Sequence, residues 1–196
     1  MKIYLTRHTE TVEEKKGVIL GQLGGNLSKK GENDALKVGF FLLKSNIVIK
    51  KIYSSPLRRA IDTAKIINTF FNINLEKKDI LKERSAGIAE GKSENEINWY
   101  DYEKIEKKYR KHKGGESFLE VKERANIFLK SLKYKKENIL VVSHNVFICM
   151  IISIVSNISI EKALNISLRK KLVCIDLDKL KVDFLKLSKN KKVAII

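Results

Sequence analysis

Cysteine, proline and acidic side chains are all scarce in this chain, and each shortage removes a class of protein. Only two cysteines occur in 196 residues, Cys149 and Cys174. Both lie in apolar surroundings without metal-ligand spacing, which argues against a disulfide scaffold or a cysteine-zinc module and reads as two reduced core residues. A single proline, Pro56, and no repeat or low-complexity stretch leave no linker or boundary, so residues 1–196 are expected to form one domain with a sizeable core. Acids number 23 against 40 Lys+Arg, a formal charge of +17. That excess admits nucleic acid, an acidic lipid surface or small anionic substrates. It is mostly dispersed lysine, with no arginine-rich run interleaved with aromatics, so nucleic acid is not the expected partner.

The amino terminus shows no basic region followed by an apolar stretch and a cleavage site, and a cytoplasmic protein is expected. One apolar run, residues 139–160, is long enough to span a membrane. Ser143, His144 and Asn145 interrupt it after four strand-like residues, so it reads as strand, site and buried helix, with no membrane partner.

What is present is organised around two strand ends. Lys2-Ile3-Tyr4-Leu5-Thr6 runs into Arg7-His8-Thr9-Glu10, and Ile139-Leu140-Val141-Val142 runs into Ser143-His144-Asn145. In open α/β sheets ligands sit beyond the carboxyl ends of the strands, where both histidines fall. Residues 11–27 lack strong periodicity, hold four of the ten glycines and read as a loop over that crevice. Ser28 caps a helix to about Ser45, and Ile49 to Tyr53 reads as a strand. Ser55 as cap and Pro56 as first residue open a helix to about Phe71, with Arg58 and Arg59 in its first turn. Basic residues there oppose the helix dipole, a cost that makes sense where an anion is to be bound.

A strand at 73–76 and the segment Leu81-Lys82-Glu83-Arg84 come next. Ser93 with Glu96, and Ser117 with Glu120, form capping boxes, the first opening a charged helix to about Arg110, the second a helix to about Leu132. After the second strand-histidine unit come helices at Val146–Asn157 and Ile160–Leu164. A hairpin then pairs Lys171–Leu177 with Val182–Leu187. The alternation implies an α/β fold.

The polar groups at strand ends and helix starts are Arg7, His8, Arg58 or Arg59, Glu83 and His144. A neutral imidazole is a competent nucleophile, and phosphorus is the electrophile that two arginines and a second histidine would hold. A protonated carboxyl group such as Glu83 could serve a leaving alkoxide. Two histidines and a carboxylate could also form a metal triad, but an adjacent guanidinium repels a cation and welcomes a phosphate, so no metal is expected. Singly, each residue is ordinary: strand-end histidines are often structural, Glu83 could pair with any lysine, and His112 between Lys111 and Lys113 reads as solvated. Their coincidence at positions that open sheets use for ligands outweighs those readings.

In this order and spacing the motifs resemble the histidine phosphatase superfamily, which includes the cofactor-dependent phosphoglycerate mutases. Arg7-His8-Thr9-Glu10 resembles the Arg-His-Gly-Glu signature whose histidine becomes phosphorylated. SSPLRRAIDTA resembles the arginine-bearing segment and selects Arg59, the arginine before alanine. LKERSAGIAEG resembles the stretch of the acidic proton donor, Glu83, and VVSHN that of the second pocket histidine, His144. The resemblance implies a three-layer, mostly parallel sheet with helices on both faces. It assigns catalysis to His8, Glu83 and His144, with Arg7, Arg59, Asn145, Gly21 and Gln22 binding a small phosphorylated substrate, and it implies no cofactor. Thr9 replaces the usual glycine and Asn145 a usual glycine or glutamine, while GQLGGNLSKKG keeps the Leu-Ser-x-x-Gly ending and lacks the usual proline.

Only 32 residues separate Glu83 from Glu116, where mutases usually carry a longer insertion. The resemblance therefore favours a phosphatase over a mutase, most similar to the α-ribazole-5′-phosphate phosphatases of cobalamin synthesis. A mutase, or a phosphate- or nucleic-acid-binding protein without catalysis, remains the alternative. Monomer and homodimer are both open.

Overall fold

The computed structural model describes residues 1–187, the side chain of Asp101 excepted. Its centre is a sheet of six strands. In chain order they are β1 (Lys2–Arg7), β2 (Lys51–Ser54), β3 (Leu75–Lys77), β4 (Ile139–Ser143), β5 (Lys171–Asp176) and β6 (Lys181–Lys186), arranged β3-β2-β4-β1-β5-β6. The first four in that spatial order run parallel, and β5 and β6 add antiparallel strands beside β1. The parallel part explains the unbroken apolar runs of β1 and β4, since a strand covered on both faces has no solvent side to alternate toward. Every residue of β4 is buried.

Alternate residues sort the core onto the two faces. Ile3 and Leu5 of β1 with Ile139 and Val141 of β4 pack under α5 (Phe118–Ser131), α6 (Asn145–Val155) and α7 (Ile160–Leu164), through Val121, Ala125, Phe128, Phe147, Ile148 and Ile151. Tyr4, Leu140 and Val142 point the other way. They meet Ala35, Val38 and Leu42 of α2 (Lys29–Lys44) and Ala60, Ala64 and Ile67 of α3 (Arg58–Asn68). The expected three layers are therefore present. Cys149 and Cys174 are free and buried on opposite faces, and burial pushes the Cys149 thiol up to about 12. The apolar run at 139–160 divides into β4 and α6, and no helix among the described residues is long and apolar enough to cross a membrane.

Five local expectations are corrected. The loop at 11–27 contains α1 (Val12–Lys15), closed by a capping box between Thr11 and Glu14. Ser55 does not cap α3: its N–H bonds the Val142 carbonyl at 2.9 Å, which keeps it in line with the sheet, and Leu57 takes the cap position ahead of Arg58. That helix stops at Asn68 because the Asn68 amide binds both the carbonyl and the N–H of Ile73 (2.9 and 3.1 Å). The charged helix after Ser93 breaks into 3₁₀ turns around α4 (Trp99–Lys104), although its capping box forms. Asn98 starts α4 anew, and the Arg110 guanidinium takes the carbonyls of Glu103 and Ile105, each at 2.7 Å, at the end of α4. His112 is likewise not simply solvated: it stacks on Tyr102 at 4.5 Å between ring centres.

Two glycines have steric reasons. Gly21 has φ +49°, and a Cβ there would meet the Glu90 carboxylate at 2.3 Å. Gly31, closing the Leu-Ser-x-x-Gly stretch, lets the Glu10 carbonyl approach to 2.1 Å of where a Cβ would sit.

Candidate active site

Parallel pairing of β1 with β4 sets Arg7 beside Ser143, so the next residue on each strand is a histidine. The His8 N–H bonds the Ser143 carbonyl at 2.8 Å, and the ring centres of His8 and His144 lie 5.1 Å apart. Two similar sequence units 136 positions apart thus become neighbours through register alone.

His8 is 5% exposed, and its Nδ1 lies 2.9 Å from the Thr9 carbonyl. A carbonyl can only accept, so Nδ1 carries the hydrogen and Nε2 the lone pair. That lone pair faces Arg59 Nε at 3.2 Å. Burial, then the charges of Arg7 and Arg59, hold the His8 pKa well below that of an ordinary histidine. His144 is fully buried, with Nε2 2.8 Å from Ser55 Oγ. Its pKa is likewise held far down, first by burial and then by His8, Arg59, Arg7 and Arg124. Both rings are neutral near pH 7.

Arg59 is 2% exposed, an unfavourable place for a guanidinium unless its donors are used. Besides His8 it donates to the carbonyls of Leu23 (2.6 Å) and Gly21 (2.7 Å), tying α3 to the loop above the crevice. Arg58 on the same turn faces outward and approaches Asp62 at 3.5 Å. Arg7 contacts Glu14 of α1. Glu83 accepts from the N–H of Arg84 (2.9 Å) and of Val146 (3.4 Å), which places its carboxylate at the positive end of α6.

Among the described residues, the buried side-chain nitrogens or oxygens without a hydrogen-bond partner are Arg7 Nε and His144 Nδ1. Both are donors or potential donors at this one place, and buried polar groups are otherwise almost always satisfied. Beside them opens a cleft of ≈ 1230 Å³ whose lining includes Arg7, His8, Gly21, Arg59, Glu83 and Arg169.

The remaining expected site residues sit differently. Gln22 commits its side-chain amide to the Glu83 carbonyl (3.0 Å) and the Glu116 carboxylate (3.3 Å), so it props the Glu83 segment and does not line the cleft. Gly21 contributes its carbonyl to Arg59. Asn145 opens α6 and lines a separate cavity of ≈ 330 Å³, which Arg7 and Arg169 also border. The Thr9 hydroxyl turns to Thr63 of α3 at 3.2 Å.

Several participants carried no sequence signal. Ser55 reads as a helix cap, yet it bonds His144. Arg124 binds Glu116 through Nε and Nη2 (3.1 and 3.0 Å) and donates to the carbonyls of Ile80 and Lys82, fixing the approach to Glu83. Glu90 accepts from the N–H groups of Gln22 and Ala86, 3.0 and 2.9 Å away. Glu14 lies 3.8 Å from His8 Nε2. Ser55 with His144, Gln22 with Glu90, and Arg124 with Ile80 and Lys82 pair segments distant in sequence. The nearer pairs, Glu14 with His8, Ala86 with Glu90 and Glu116 with Arg124, depend on how the short chain between them turns.

Residues 3–182 match the histidine phosphatase superfamily, branch 1. A protein of Hydrogenobacter thermophilus named "Putative phosphoserine phosphatase 2" is 30% identical over 177 residues, covering 84% of this chain and 83% of that one. The human 6-phosphofructo-2-kinase/fructose-2,6-bisphosphatase 4 is 32% identical over 147 residues, 72% of this chain but only 30% of its own length. The α-ribazole phosphatase of Shigella flexneri superposes with a TM-score of 0.82 over 95% of each chain at 20% identity, a likeness of fold. The chain belongs to the histidine phosphatase superfamily, in its first branch.

Proposed function

We propose that this protein hydrolyses a small phosphate monoester through a phosphohistidine on His8, without a metal. What carries this reading is the tautomer of His8: the Thr9 carbonyl holds the hydrogen on Nδ1, leaving the Nε2 lone pair beside two guanidinium groups in a neutral, buried ring. In the first step that lone pair attacks phosphorus while the bond to the leaving oxygen breaks, and Glu83 gives that oxygen its proton. Arg7, Arg59 and His144 hold the phosphoryl oxygens, where charge must be stabilised during in-line transfer. The unpartnered Arg7 Nε and His144 Nδ1 support that assignment, since phosphoryl oxygens are acceptors of the kind both can use. Water then attacks the phosphoryl group, the P–N bond breaks, and the proton of the water returns to Glu83.

Among the described residues no cluster of three or more His, Cys, Asp or Glu is arranged to hold a metal ion. The arginines at His8 favour an anion there instead. For the leaving group, the resemblance drawn from the sequence makes α-ribazole a candidate, and serine joins it through the Hydrogenobacter relative. The test is phosphate release, with chelator present, from an aryl phosphate, α-ribazole-5′-phosphate, phosphoserine, fructose-2,6-bisphosphate and 3-phosphoglycerate. Release that His8→Ala abolishes is the expected result, and the fastest substrate names the leaving group. Release that depends on added metal, or isomerisation of 3-phosphoglycerate without release, would contradict it.

A further inference from the structure

One of the phosphoryl-binding groups, Arg7, is already engaged through Nη2 by an anion belonging to the chain itself. Glu14 Oε1 contacts Arg7 Nη2 and lies 3.8 Å from His8 Nε2. Its position is fixed from behind, because Oε2 accepts from the Thr11 N–H at 3.4 Å and the Glu14 N–H donates to Thr11 Oγ1 at 3.1 Å. A phosphorus atom ready for attack sits about 3–3.5 Å from its nucleophile. The Glu14 oxygen therefore occupies the same shell around Nε2, against the same arginine, as the incoming group. Two anions cannot share that space cheaply in a partly desolvated pocket.

We propose that Glu14 is an internal occupant of the phosphoryl subsite that oxyanions must displace, and that it thereby sets how weakly the enzyme holds phosphate. The inference rests on His8 being the phosphoryl acceptor. In the resting site the carboxylate balances Arg7, so Arg7 and Arg59 do not face each other with neither charge compensated. During a cycle it competes with the phosphate product and favours its departure. Displacement requires only a side-chain rotation: α1 buries none of its residues, and the Glu14 side chain keeps 27% of its surface in solvent.

Glu14→Gln removes the charge while retaining an oxygen for the Thr11 N–H, and Glu14→Asn is a second neutral variant should the first fail to fold. Inorganic phosphate is the probe, measured by calorimetric binding and as a competitive inhibitor of aryl phosphate hydrolysis. The expected result is phosphate binding tighter on the order of tenfold or more in the neutral variants. KM should fall with it while kcat does not rise, because ground state and transition state gain alike. Glu14→Asp, which keeps the charge, should stay near wild type. Unchanged or weaker phosphate binding in a folded neutral variant would overturn the proposal while leaving hydrolysis at His8 intact. If neither wild type nor the neutral variants bind phosphate, both the proposal and the underlying assignment of the site fail.

Discussion

His8 and His144 end two parallel strands of nearly the same construction, adjacent in the sheet, yet their rings are held in opposite ways. At His8 the main chain secures Nδ1 and presents Nε2 to arginine at the cleft wall. At His144 a serine side chain secures Nε2, while Nδ1 stays unpartnered and the whole residue is out of solvent. Equal sequence motifs thus give one ring poised to share a lone pair and one placed to hold a group brought to it. The difference arises from the residue after each histidine: Thr9 continues outside any helix, its N–H bonded to Thr63 of α3, whereas Asn145 begins α6 and leaves His144 as its cap residue.

Mutations should separate the two rings, the largest effects first. His8→Ala removes the atom that forms the intermediate and should lower turnover by roughly 10⁴-fold or more. His144→Ala should lower kcat by about 10²–10³-fold, the usual loss from removing one charge-stabilising donor, with a trappable intermediate retained. If His144→Ala eliminated the intermediate and His8→Ala did not, the roles would be exchanged. Arg59→Ala should fall in the same range of about 10²–10³-fold. Ser55→Ala should cost about tenfold by loosening the His144 ring, and a wild-type rate would show that the hydroxyl does not orient it. Arg58→Ala, which removes only an exposed contact to Asp62, should leave rates within about twofold.

The smallest expected effect is on stability. Both rings have lowered pKa values in the folded state, so below ~6.5 the unfolded chain binds more protons than the folded one. Their contribution is complete above that pH and is lost as pH falls through it. The melting midpoint should decline on acidification between ~6.5 and ~4.5, before the carboxylates respond. His144→Asn should flatten that decline, as a pair of melting curves at the two pH values would show.

The halves of the site differ in how far the sequence disclosed them. Arg7, His8, Glu83 and His144 sit at boundaries of local patterns, where an apolar run stops at a polar group, and such boundaries survive without knowledge of the fold. The direction of Arg59 against Arg58 could not follow from helical spacing alone, and it came from the resemblance. Glu14, Ser55 and the Glu116–Arg124 pair were invisible because their roles depend on where the folded chain carries them. Ser55 meets His144 across the sheet, Arg124 reaches the carbonyls of Ile80 and Lys82, and Glu14 turns back to Arg7 and His8 only through the capped start of α1. The three layers were legible in the alternating apolar segments. The antiparallel pair β5 and β6 appeared as a hairpin, but nothing local placed it beside β1. The helix expected after Ser93 failed because a capping box specifies a start and says nothing of Asn98 opening a second start five residues later.

The most direct measurement is acid-sparing rapid quench of the protein with a labelled phosphate monoester, followed by mapping of the bound phosphoryl group. The account predicts an acid-labile, base-stable phosphoramidate on the peptide containing His8, accumulating with His144 replaced and absent with His8 replaced. A phosphoryl group on another residue, or turnover that persists in His8→Ala, would contradict it.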